Sequence, residues 1–84
     1  MKIVMVDGYV YSAPTYKALA RVMFNLWNFR QESTIKEWMK GISDRFGESA
    51  LGRKISIKSE VTFFRDCFKA GIFERWHNGM RVMP

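Results

Sequence analysis

Lys58, Thr62, Arg65 and Lys69 follow one another at i, i+4, i+7 and i+11, which sets all four on one stripe of an α-helix. An α-helix fits the DNA major groove, and long cations on one stripe reach phosphates and base edges together. Arg65 is the candidate for a base contact, because a guanidinium bonds bidentately to guanine. Thr62 suits a thymine methyl or a phosphate, while Lys58 and Lys69, nearer the helix ends, suit phosphates. Arg53 and Lys54 precede the stripe and are placed to clamp backbone there. Arg75 and Arg81 follow it, with His77 and Asn78 between them. The same spacing also describes the solvated face of an ordinary amphipathic helix. The neighbourhood favours the polyanion: the flanking segments are basic too, and Glu60 and Asp66 lie off the stripe.

The charge balance points the same way. The chain carries 14 Lys+Arg against 8 Asp+Glu, a formal net charge of +6. Residues 53–84 hold seven cations against Glu60, Asp66 and Glu74, so the last third carries most of the excess. Other chemistries find little to work with. One cysteine, Cys67, leaves no internal disulfide and no cysteine-based zinc site; it reads as a small buried hydrophobe. A lone histidine, His77, supports neither a metal triad nor a catalytic triad with the scattered acids Asp7, Glu48 and Glu60. The six glycines are dispersed, so there is no phosphate-binding loop. The expectation is a non-enzyme with no catalytic residue, no metal and no cofactor.

Eighty-four residues allow one domain, residues 1–84, with a net stability of about 4–13 kcal/mol. With 48% hydrophobic residues the chain has the composition of a folded domain. Ile3 to Val6 is too short an apolar run for a signal peptide. Thr15 to Phe29 is interrupted by Lys17, Arg21 and Asn25, so it does not read as a membrane span. A soluble, cytoplasmic protein is expected.

The elements that must position these cations can be read in order. Residues 2–6 and 9–11 flank Asp7-Gly8, a turn dipeptide suited to two positive φ angles, and predict a β-hairpin. A first helix follows, capped by Ser12 with Pro14 in its first turn, and with Tyr16, Leu19, Ala20, Met23 and Trp27 on one face. Thr34-x-x-Glu37 is a capping box opening a second helix, whose buried face is Ile35, Trp38, Met39, Ile42 and Phe46 and whose stop is Gly47. Ile55-Ser56-Ile57 reads as a short strand. The third helix spans about 58–70, capped by Ser56 or Ser59, ended by Gly71, with Val61, Phe64, Cys67 and Phe68 inward. A second hairpin turns at Asn78-Gly79. The thirteen aromatics invite a stacking platform for single strands, but most fall at helical core spacing. Trp76 suits either the core or an interface.

The resulting layout is α+β: an N-terminal hairpin, three helices and a C-terminal hairpin. Over about residues 34–83 it resembles a winged helix-turn-helix, on the order of its helices, the Ala70-Gly71-Ile72 helix end and the Arg-bearing hairpin with its Asn-Gly tip. The resemblance implies that the third helix enters the major groove of double-stranded DNA while the hairpin, the wing, touches the neighbouring backbone. It implies a small DNA-binding regulator of the phage or mobile-element kind. A second class fits the size: a protein-binding inhibitor of a host nucleoprotein complex, anti-CRISPR-like, acting through Tyr9, Tyr11, Trp76 and the methionines. A homodimer, paired along the edge strand of the first hairpin, would let so small a module specify a longer site.

Overall fold

The structure, a computed structural model, describes residues 1–27, 32–46, 54–77 and 79–82. Both hairpins form where the turn dipeptides require them. Strands β1 (Lys2–Val6) and β2 (Tyr9–Ala13) join through Asp7 and Gly8, at φ 50° and 81°. Strands β3 (Glu74–His77) and β4 (Met80–Val82) pair in register His77↔Met80, and Gly79 supplies a φ of 75°. The hairpins then zip together. β1 pairs antiparallel with β3, giving one four-stranded sheet in the order β2-β1-β3-β4.

Three helices cover one face of this sheet. Alternation sends Val4, Val6, Tyr11 and Ala13 onto the helices and leaves Ile3, Met5 and Val10 on the other face. Helix α1 (Tyr16–Leu26) is capped by Thr15, whose hydroxyl accepts the Ala18 N–H at 3.1 Å. That corrects the expected Ser12 cap. β2 runs on to the buried Ala13, so Ser12 is held in the ladder opposite Ile3 and the helix starts later. Helix α2 (Ile35–Phe46) opens on the expected box: Thr34 Oγ1 accepts the Glu37 N–H at 3.1 Å. The Glu37 carboxylate returns to the Ser33 N–H at 3.3 Å, one residue earlier than the motif implies. The expected stop at Gly47 lies outside the described residues.

Helix α3 (Glu60–Ala70) starts at Ser59, one of the two expected caps, and ends at Gly71 in the left-handed conformation, φ 77°. There the N–H groups of Gly71 and Ile72 bond the carbonyls of Phe68 and Cys67 at 3.2 and 3.0 Å, closing the helix end. The expected strand at Ile55-Ser56-Ile57 does not join the sheet. Its polar groups are taken by helix side chains instead: Ser43 Oγ donates to the Ile55 carbonyl at 2.9 Å, and the Ser56 N–H donates to Asp66 Oδ2 at 2.9 Å.

The core is largely aromatic. Phe64 stacks on Tyr16 at 5.1 Å and meets Phe63 edge-on at 5.4 Å. Phe63 in turn touches Trp38, and Trp38 meets Trp27 edge-on at 5.4 Å. Two inward assignments are corrected. Val61 is 59% exposed, because Phe63, about 200° further round the helix, takes the inward arc. Phe46, in the last turn of α2, is 44% exposed. Among the described residues no helix is long and apolar enough to cross a membrane.

Candidate nucleic-acid interface

Helix capping decides which α3 side chains face solvent. Because the helix begins at Glu60, Lys58 lies before it and cannot share its stripe. Thr62 is half-buried and its hydroxyl is engaged. Its Oγ1 accepts the Ser59 N–H at 3.2 Å and donates to the Ser59 carbonyl at 3.0 Å, while Ser59 Oγ accepts the Thr62 N–H at 3.2 Å. This reciprocal cap occupies the hydroxyl that the sequence offered to DNA. The exposed stripe of α3 is Val61–Arg65–Lys69, spaced i, i+4, i+8.

The sheet brings further cations to that stripe. Cross-strand register puts Arg75 beside Val4 on one side and Val82 on the other, on the helix-bearing face. Lys2 lies two residues before Val4 on the same face of β1. Lys2, Arg65, Lys69 and Arg75 therefore line one hollow of about 340 Å³, floored by Tyr16 and Phe68, and among the described residues no carboxylate lines it. A smaller hollow of about 170 Å³ adjoins it, sharing Phe68, Lys69 and Arg75 and adding Arg81 and Glu74. The Glu74 carboxylate accepts the Trp76 indole N–H at 3.3 Å.

The cations here differ in how they are held. Arg65 Nε sits 3.5 Å from Oδ1 of Asp66, a carboxylate buried beneath it that also anchors Ser56. Lys2 Nζ lies 4.9 Å from the centroid of the Tyr16 ring. No salt bridge to a described residue engages Lys69, Arg75 or Arg81. With Arg65 partly offset by Asp66, and Lys69, Arg75 and Arg81 without a salt bridge to a described residue, the net field over the apolar floor is positive and attracts polyanions.

The remaining expected site residues go elsewhere. Lys54 bonds Asp44 at 2.9 Å, and that cation holds the Asp44 carboxyl below its usual range. Lys58 lines a separate hollow with Lys17, Arg21 and Lys36. His77 is exposed at the end of β3, opposite Met80, and lines neither cationic hollow. Arg53 and Asn78 lie outside the described residues. The expected stripe is thus divided: Arg65 and Lys69 stay with Arg75 and Arg81, while Lys58 and Thr62 leave them. Sequence reasoning missed Lys2, because only the pairing of β1 with β3 brings the two hairpins together. It also missed Lys17 and Arg21, whose i, i+4 spacing was the available signal.

Among the described residues no group of three or more potential metal ligands occurs. Cys67 is buried, and its desolvation, with the nearby Asp66 charge, pushes the thiol pKa up, which disfavours the reactive thiolate. The chain matches no protein-family model, no curated protein sequence and no solved structure.

Proposed function

We propose that this chain is a nucleic-acid-binding module that grips double-stranded DNA through the face formed by α3, the C-terminal hairpin and Lys2. The observation that carries the reading is the convergence of Lys2, Arg65, Lys69 and Arg75 on one hollow that no carboxylate among the described residues lines. On this reading Arg65 and Val61, on the open stripe of α3, read base edges: a guanidinium for guanine and an apolar surface for the thymine methyl. Lys69, Arg75, Arg81 and Lys2 hold phosphates and set the register of the helix on the duplex. The helix and hairpin then act as reading helix and wing, in keeping with the winged-helix resemblance. A nucleic-acid partner of this kind puts the working protein in the cytoplasm.

A second reading keeps one observation in its favour. Tyr9 and Val10 are 57% and 60% exposed on the edge strand β2, an edge that suits a protein partner as in an inhibitor of a nucleoprotein complex. Amide chemical-shift mapping of the labelled protein with a random-sequence duplex separates the two. DNA binding is expected to move the signals of Lys2, residues 61–69 and residues 74–81. Shifts confined to Tyr9 and Val10, or no shifts at low salt, would overturn the DNA reading.

A further inference from the structure

A second cationic hollow lies beside the first. Lys17 and Arg21 of α1, Lys36 of α2 and Lys58 of the segment entering α3 surround about 330 Å³ of open space, floored by Ile35, Met39 and Ile57. All four cations are exposed, and none forms a salt bridge to a described residue. Among the described residues Glu60 is the one carboxylate lining it. Elsewhere two cations are paired, Arg45 lying 3.6 Å from Glu32 and Lys54 2.9 Å from Asp44, while the exposed Lys40 has no salt bridge to a described residue.

Two further features bear on what this hollow does. Lys17 and Arg21 are like charges one helical turn apart, an arrangement that destabilises a helix slightly and is relieved when an anion bridges them. The backbone carrying Lys58 is fixed in advance. Its N–H donates to Ser56 Oγ at 3.3 Å, Ser56 Oγ donates to Thr62 Oγ1 at 3.2 Å, and the Ser56 N–H is pinned by the buried Asp66. The Thr34 and Ser59 side chains each take one first-turn N–H, that of Glu37 in α2 and that of Thr62 in α3, and the four cationic side chains supply the charge that holds an anion here.

Position identifies the occupant. Tyr16 lines the first hollow and Lys17 the second; Val61 lines the first and Glu60 the second. Consecutive residues of both α1 and α3 divide between them, so the two hollows flank the same helix pair. We infer that the Lys17–Arg21–Lys36–Lys58 hollow is a second phosphate-binding site, which takes the continuation of the nucleic-acid backbone held by the first face. This rests on the DNA-binding reading above and extends its footprint from one groove wall to two flanks of the module.

The test compares two charge-neutralised variants with the wild type, by anisotropy of a labelled random-sequence duplex of about 24 base pairs over a salt series. Lys17→Gln/Lys36→Gln changes two exposed side chains, and circular dichroism checks the fold. Each lost phosphate contact removes about 0.9 from the log–log salt slope, so this variant should bind with a slope shallower by about 1.8. Arg75→Gln/Arg81→Gln, on the first face, should show a similar loss. A wild-type slope kept by Lys17→Gln/Lys36→Gln and lost by Arg75→Gln/Arg81→Gln would overturn the second site and leave the first standing. A wild type that binds no duplex at low salt would overturn both.

Discussion

Thr62→Val separates a hydroxyl that caps α3 from one that contacts DNA. Valine keeps the shape and the β-branched χ1 preference of threonine, so the substitution removes little besides the hydroxyl. In the structure that hydroxyl accepts the Ser59 N–H at 3.2 Å and a hydrogen bond from Ser56 Oγ at 3.2 Å, and it donates to the Ser59 carbonyl at 3.0 Å. Ser59 Oγ still receives the Thr62 N–H at 3.2 Å, so half of the reciprocal cap survives. Loss of a cap side chain costs about 1 kcal/mol, and a part-buried N–H left without a partner adds a fraction of the roughly 1–3 kcal/mol of full burial. The expected destabilisation is about 1–2 kcal/mol, or about 6–12 °C in Tm for a domain of this size. Urea and thermal unfolding followed by tryptophan fluorescence and far-UV circular dichroism measure it. Ser59→Ala should cost a similar amount, and the double variant should fall short of the sum by about 0.5–1 kcal/mol, because the two side chains serve one cap. Duplex affinity, measured well below Tm, should change less than about threefold, which is about 0.6 kcal/mol. A Tm within about 2 °C of wild type together with a large loss of affinity would refute the capping argument and restore Thr62 to the DNA surface.

Three other outcomes follow from the same structure. Phe63→Ala removes a fully buried ring that contacts Trp38, Phe64 and Phe73 and should cost about 3–5 kcal/mol, against less than about 0.5 kcal/mol for the exposed Val61→Ala; equal losses in urea titrations would contradict the inward arc assigned to α3. Gly71→Ala meets no atom within 4 Å, so its cost is the left-handed backbone alone, about 1–2 kcal/mol, and a neutral result would remove the positive-φ terminator. Cys67 should resist thiol reagents in the folded protein. Burial raises its folded pKa above the ordinary value near 9, so the folded state holds its proton where the unfolded chain loses it. Stability is then unaffected below about pH 9 and falls as pH rises past it; Tyr11, also raised by burial, adds a loss in the same direction near pH 10, and the part due to the thiol should vanish in Cys67→Ala.

The parts of the fold legible in the sequence are those decided by neighbouring residues. Asp7-Gly8 set the first hairpin and Gly79 helps set the second; Thr34 with Glu37 opened α2, and Gly71 closed α3. Errors arose where a distant contact decided a local boundary. Pairing with Lys2 and Ile3 carried β2 through Ser12 to Ala13 and moved the α1 cap to Thr15. The choice of Ser59 over Ser56 as cap put Lys58 outside α3, and Phe63 displaced Val61 from the core because the helix settled on the wider aromatic arc. The candidate site follows the same rule. Arg65 and Lys69 were readable from helical spacing, and Arg75 and Arg81 from their places on the two strands of the second hairpin, although the register turns Arg81, opposite Trp76, to the other face of the sheet from Arg75. Lys2 was not, since β1 meets β3 across some seventy residues of chain.

The most direct test of the central claim is the salt dependence of wild-type duplex binding beside that of Arg75→Gln, whose side chain lines both hollows of the first face. The account predicts a log–log slope at least as steep as about −3.6 for the wild type, as four or more phosphates are held, and one shallower by about 0.9 for Arg75→Gln. A wild-type slope near zero, or an Arg75→Gln slope equal to that of the wild type, would contradict it.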